Sequence, residues 1–213
     1  IAPWTIRNAT QLHSFVPVST SGGYTLAGTY NDTSLHDPEN PGIWIPDERD
    51  PTLRQLILDR LPYDEASLDK TLRTAAVDFI RAHPEAVPKT MFWNALRLFD
   101  LTGPGHAEFY AQYVPYSKGL TTVSVYASWI LGALAIAGIA MGVARKTPFA
   151  VWLFPLLAIV FLSFISGEIR YRASIEPFTV LLAAAAAVAL YDAWRRRSID
   201  QPHADATPAP AST

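Results

Sequence analysis

Apolar positions are spread very unevenly along this chain. Three uncharged runs, Val123–Val143, Phe149–Ser166 and Phe178–Tyr191, crowd its C-terminal half. At about 1.5 Å rise per residue the first two are long enough to cross roughly 30 Å of hydrocarbon, so both read as spanning helices. The third is shorter, but extended back over residues 173–177 and on to Trp194 it reads as a tilted or interface-anchored span. The pattern predicts a membrane domain over 122–194, with spans at about 123–143, 148–166 and 174–194.

Residues 1–121 follow a different rhythm. Phe15-Val16-Pro17-Val18 and Tyr24-Thr25-Leu26-Ala27 flank Ser19-Thr20-Ser21-Gly22-Gly23 and read as two short extended segments around a glycine turn. A loop rich in helix breakers follows, from Asn31 to Pro46. Asp50-Pro51 supplies an N-cap and a first-turn proline, and Leu53, Leu56, Ile57 and Leu61 recur at helical spacing. A second helix is predicted from about Glu65 to Ala82, stopped by His83-Pro84, and a third over about Glu85–Phe99, ended by Gly103-Pro104. Leu72, Phe79, Met91 and Phe92 are expected to pack between these last two. The expected architecture is a mainly helical outer domain with a small extended part, joined to three transmembrane helices.

Composition hides this division. A mean hydropathy of +0.14 and 17% charged residues are unremarkable averages over two unlike halves. Between 122 and 194, charge occurs only at Arg145, Lys146, Glu168, Arg170, Arg172, Glu176 and Asp192. The net charge of −2 gives no reason to expect nucleic acid, which requires a basic face. With no cysteine there is neither a disulfide framework nor a thiolate metal site, and His13, His36, His83 and His106 lack metal-ligand spacing. No cofactor is called for. Arginine outnumbers lysine, and with the alanine run Ala183–Ala187 this suggests a GC-rich bacterial gene.

Lys and Arg near the span ends set the expected orientation. Arg145-Lys146 follow the first span and Arg195-Arg196-Arg197 the third, so three crossings put both clusters on the cytoplasmic side. Residues 1–121 then lie outside the cell membrane, and 195–213, rich in Pro, Ala and small polar residues, form a disordered cytoplasmic tail. Tyr113, Tyr116 and Tyr126 suit the outer interface and Trp194 the inner one. Ile1-Ala2-Pro3-Trp4 reads like the exit from an earlier transmembrane helix, with Pro ending it, which suggests a fragment. Arg170 and Arg172 fall on the outer side against the charge rule, and that exception points to function.

Several stretches resemble a known family. Pro3-Trp4-Thr5-Ile6-Arg7-Asn8, the segment Phe15–Gly23 with Leu26, a helix closing on His83-Pro84, and Gly167-Glu168-Ile169-Arg170-Tyr171-Arg172 with Glu176-Pro177 opening an apolar helix occur in that order. Together they resemble the C-terminal third of bacterial polytopic glycosyltransferases of family 39, the protein O-mannosyltransferase and aminoarabinose transferase type with the GT-C fold. The resemblance covers roughly residues 1–195. It implies sugar transfer from a polyprenyl-phosphate carrier to a lipid or protein acceptor on the outer face. It also implies a catalytic carboxylate in a first outer loop that these residues do not contain, so no residue here is assigned as catalytic and the fragment alone is expected to be inactive.

The chemistry gives the outer arginine pair a use. Guanidinium groups bind phosphate oxygens in bidentate fashion and stabilise a phosphate that departs with negative charge. Arg170, Arg172, Tyr171 and Glu168 are therefore the candidate lipid-phosphate site. The competing reading is that Arg170 and Arg172 pair with Glu168 and Glu176 to pin the loop, or touch headgroups. Arg7 and Asn8 are candidates for a phosphate or sugar contact, against a headgroup contact or a strand-end hydrogen bond. Gly22 and Gly23 are candidates for close approach of backbone to ligand, against a tight turn. Asp47, Glu48 and Asp50 read as a solvated loop. A non-catalytic membrane module binding a lipid phosphate or a protein partner is the alternative to the enzyme.

Overall fold

The computed structural model describes residues 2–16, 18–60, 64–103, 105 and 117–200, the side chains of 146 and 198–200 excepted. Of the expected disordered tail 195–213, residues 195–200 continue a helix; those from 201, with Tyr113, Tyr116 and His106, lie outside the described residues. Among those described the only regular structure is helix, with no strand. In the polar half, α1 spans Ala2–Leu12, α2 Gly22–Thr29, α3 Asp32–Leu35, α4 Pro51–Leu58, α5 Glu65–Ala82 and α6 Ala86–Leu98. In the apolar half, α7 spans Lys118–Ala140, α8 Phe149–Ile165 and α9 Glu176–Asp200, with a 3₁₀ turn at Ile169–Ser174 between α8 and α9.

Local chemistry explains the helix starts. Asp50 accepts the Leu53 amide at 2.7 Å with Pro51 in the first helical position, as expected of an N-cap. Asp64 caps α5, Ser117 caps α7, and Asn31 caps α3 by accepting the Ser34 amide at 2.7 Å. α3 thus interrupts the stretch expected to be one long loop. Asp50 is buried by this role, and Asp47 accepts from the Tyr24 hydroxyl at 2.7 Å, so neither belongs to the solvated loop expected of them.

Three expectations for the polar half are corrected. Tyr24–Ala27 is helical, not extended, and Gly22 and Gly23 open α2 instead of forming a turn. The reason is packing: a Cβ on Gly23 would collide with the Asp69 backbone, so the glycine lets α2 lie directly on α5. Pro3 stands in the first turn of α1 rather than ending a helix. Finally, α5 packs on α2 while α6 packs on α8, so α5 and α6 do not form the expected pair. Leu72 is fully buried and Phe79 joins its cluster, but Phe92 is exposed.

One core unites Ala27, Tyr30, Leu35, Leu53, Leu72, Ala76 and Ala86, and Phe164 of α8 packs into it. The Tyr30 and Phe164 rings lie 5.2 Å apart. The polar half is therefore built around the end of an apolar helix.

Two helices, Lys118–Ala140 and Glu176–Arg197, are long and apolar enough to cross a membrane; α8, with 17 residues, is a shorter apolar helix. α7 and α9 pack together through Ala135, Leu182 and Ala183, and Gly138 sits against the Leu182 backbone. That register staggers them. Counted from Leu182 at 1.5 Å per residue, α7 begins about 30 Å above and α9 only about 9 Å above. Glu176 thus opens α9 beside the middle of α7, and the N-terminal half of α7 extends beyond the start of α9.

Candidate functional site

The end of α8 explains how the charged loop is positioned. A helix leaves its last four carbonyls without intrahelical partners, and burying them unpaired is costly. Here each has one. The Ser166 amide donates to Leu162 O at 2.9 Å, the Asn94 side-chain amide to Ser163 O at 3.1 Å, the Tyr30 hydroxyl to Phe164 O at 2.8 Å, and the Thr29 hydroxyl to Ile165 O at 2.7 Å. Three of these donors come from the polar half. Burial pushes the Tyr30 phenol pKa up, which keeps it protonated as a donor.

The chain then turns at Gly167 against α6. A Cβ there would stand 2.7 Å from both Asn94 Cα and Asn94 O, so only glycine permits this contact. From Gly167 the 3₁₀ turn Ile169–Ser174 passes along α6 to the start of α9.

The turn divides its charges into an inner and an outer set. Arg172, only 15% exposed, pairs with Asp100, which is 3% exposed, and donates to Glu176 Oε1 at 3.0 Å. Asp100 also accepts from the Ser128 hydroxyl at 3.0 Å, and its backbone oxygen accepts from the Trp129 indole at 3.2 Å. Asp100 holds a left-handed backbone, φ 58°, a conformation uncommon outside glycine but tolerated by Asp. This cluster ties the end of α6, the middle of α7 and the start of α9 into one knot.

The outer set is different. Glu168 is buried and pairs with Arg170, whose side chain is 71% exposed. Arg170 also lies over the Tyr171 ring at 5.0 Å and donates to its hydroxyl at 3.3 Å. Burial raises the Glu168 carboxyl above the usual range while Arg170 pulls it back. For Arg170 burial favours the neutral form, but Glu168 and Tyr171 outweigh it, and the net shift is upward. What results is a fixed, exposed cation beside an aromatic face, just before the N-terminal end of α9.

The expected site residues thus separate. Glu168, Arg170, Tyr171 and Arg172 share one turn, with Arg172 in the internal pins and Arg170 facing out. Arg7 and Asn8 lie on α1, with Asn8 buried and its amide donating to Val16 O at 3.1 Å; Arg7 stacks over Trp4 at 5.2 Å. Gly22 and Gly23 lie on α2, where the Gly23 amide donates to the Asp69 carboxylate. No contact links either pair to the turn among the described residues. Sequence reasoning missed Asn94, Tyr30, Thr29 and Asp100. Only Asp100 left a trace, as an acid placed where the α6 pattern stops.

Compared with models of known protein families, with curated proteins and with solved structures, the chain gives no match.

Proposed function

We propose that this chain is the donor-binding, C-terminal part of a GT-C-type membrane glycosyltransferase resembling family 39, which transfers a sugar from a polyprenyl-phosphate carrier to an acceptor on the outer face. The observation that carries the reading is the outward guanidinium of Arg170, standing on a turn whose other charges are drawn into buried pairs. A polyprenyl phosphate joins an anion to an apolar tail. A guanidinium fixed at the end of an apolar helix meets both requirements, and its planar fork matches phosphate oxygens. As the sugar leaves, negative charge grows on the phosphate, and a cation already in place stabilises it. Tyr171 offers an adjacent aromatic face. Arg172, pinned between Asp100 and Glu176, positions the turn.

In the same reading α7, α8 and α9 each cross the membrane, with residues 1–121 outside. Arg145 after α7 and Arg195–Arg197 at the end of α9 support that orientation. The absence of cysteine makes the test clean. Cysteines placed singly at Ser67 and Thr147 should react with an impermeant thiol reagent in intact cells only at position 67, and labelling at 147 would overturn the orientation.

The donor site is tested by binding of undecaprenyl phosphate to the chain in phosphatidylcholine nanodiscs. Arg170→Ala should weaken it about tenfold and Arg170→Lys by less, because lysine keeps charge but not the fork. Unchanged affinity would remove the assignment. A non-catalytic module that binds a lipid phosphate would use the same arginine. Membranes carrying the gene's complete product decide between the two: sugar transfer that falls with Arg170→Ala supports the enzyme, and binding with no transfer supports the module.

A further inference from the structure

A cavity lies beside α6. Its volume is about 460 Å³, and Glu39, Asn40, Trp93, Leu96, Arg97 and Thr102 line it. The wall carrying Glu39 and Asn40 is clamped onto α6 at three points. Lys89 Nζ donates to Leu35 O at 2.9 Å, Gly42 with φ +71° lies against Thr90, and Arg97 Nη2 donates to Pro41 O at 2.6 Å. Arg97 is itself buried, with Nη1 donating to Asn94 Oδ1 at 2.8 Å, so the same side chains that anchor α8 anchor this wall. The loop is further tightened by Asp37, which accepts the Glu39 amide at 3.1 Å and the Asn40 amide at 2.7 Å.

The lining is a particular mixture. An indole provides a flat apolar face, stiffened by the edge-on Phe92 ring 5.7 Å away. Glu39 and Asn40 add a carboxylate and a side-chain amide to the lining. Thr102 Oγ1 is buried at the edge with no hydrogen-bond partner among the described residues. Flat C–H faces edged by hydroxyl groups are the ligand surface such a lining complements: the ring stacks on the indole while the hydroxyls meet carboxylate and amide. We propose that this pocket is a carbohydrate-binding site on the outer half of the molecule, for a neutral pyranose unit. It uses neither Arg170 nor any transfer step, so it stands independently of the donor assignment.

The probes are methyl α-D-mannopyranoside, methyl β-D-glucopyranoside and N-acetylglucosamine, offered to the full chain in nanodiscs and read by saturation-transfer NMR. At least one should receive magnetisation through its C–H face. Trp93→Ala should weaken that binding about tenfold or more, Trp93→Phe should retain part of it, and Glu39→Gln should weaken it several-fold. Arg170→Ala should leave it unchanged. If none of the three sugars binds, or if binding survives Trp93→Ala in a protein whose helical circular dichroism is intact, the site is not one for sugars. Loss of binding in Trp93→Phe equal to that in Trp93→Ala would count against stacking and overturn the proposal in the same way.

Discussion

Two seams join the polar half of this molecule to its apolar helices, and they are made of different chemistry. At the end of α8 the seam is neutral: Thr29, Tyr30 and Asn94 donate to three backbone carbonyls. Where α6 meets α7 and α9 the seam is ionic: Asp100 holds Arg172, which also reaches Glu176. Each neutral bond contributes about 1 kcal/mol net, and losing one leaves a single carbonyl unpaired. The ionic knot gains little on balance, because desolvating its charges offsets their attraction, but it is costly to break from one side. The neutral seam distributes its strength; the ionic seam concentrates risk at one residue.

Removing Asp100 should show the contrast most sharply. Asp100→Ala removes the buried partner of Arg172, leaving it Glu176 and a long contact to Leu98 O, while the Ser128 hydroxyl falls back on Val125 O, so stability should fall by about 3–5 kcal/mol. Thermal unfolding in detergent measures it. A loss near 1 kcal/mol would make the two seams equivalent.

A smaller effect is expected from the neutral seam. Tyr30→Phe keeps the ring packed on Phe164 but removes the donor to Phe164 O, and should cost about 1–3 kcal/mol. Combined with Asp100→Ala, the losses should add to within about 0.5 kcal/mol if the seams act independently. A large coupling term in that cycle would show that α6 transmits strain between them.

The smallest effect concerns the outer charges. Burial makes the folded protein hold the Glu168 proton more tightly than the unfolded chain does, with Arg170 opposing. The sign follows from linkage. Stability due to this group is greatest below the ordinary glutamate value and falls as pH rises through that value towards the raised folded one. Glu168→Gln should flatten the pH dependence of the melting temperature in this window. Arg170→Ala should steepen it, since the neighbouring cation no longer offsets the burial. An identical slope in wild type and Glu168→Gln would show that Glu168 is not the titrating group.

Much of the local structure was written in the sequence. Asp50-Pro51 announced the start of α4, the helical spacing placed α5 from about Glu65, His83-Pro84 stopped α5 where expected, and the apolar runs became α7, α8 and α9 to within a few residues at most ends, because caps, breakers and hydrophobic periodicity act over a few neighbouring residues. Glu168, Arg170, Tyr171 and Arg172 were also legible as a charged group among apolar runs. Tertiary structure alone decided which arginine faces outward, since that choice depends on Asp100, a residue distant in sequence, reaching Arg172 and leaving Arg170 to Glu168. It also decided that Gly22–Thr29 is a helix: the strand-like reading of Tyr24–Ala27 yields once Gly23 lets α2 lie against α5. The same holds for the capping of α8 by Thr29, Tyr30 and Asn94, for the stagger of α7 and α9 set at Gly138, and for the cavity beside Trp93. Each rests on groups far apart along the chain, whose approach is fixed by packing and by the need to satisfy buried polar atoms, and neither is encoded in any local pattern.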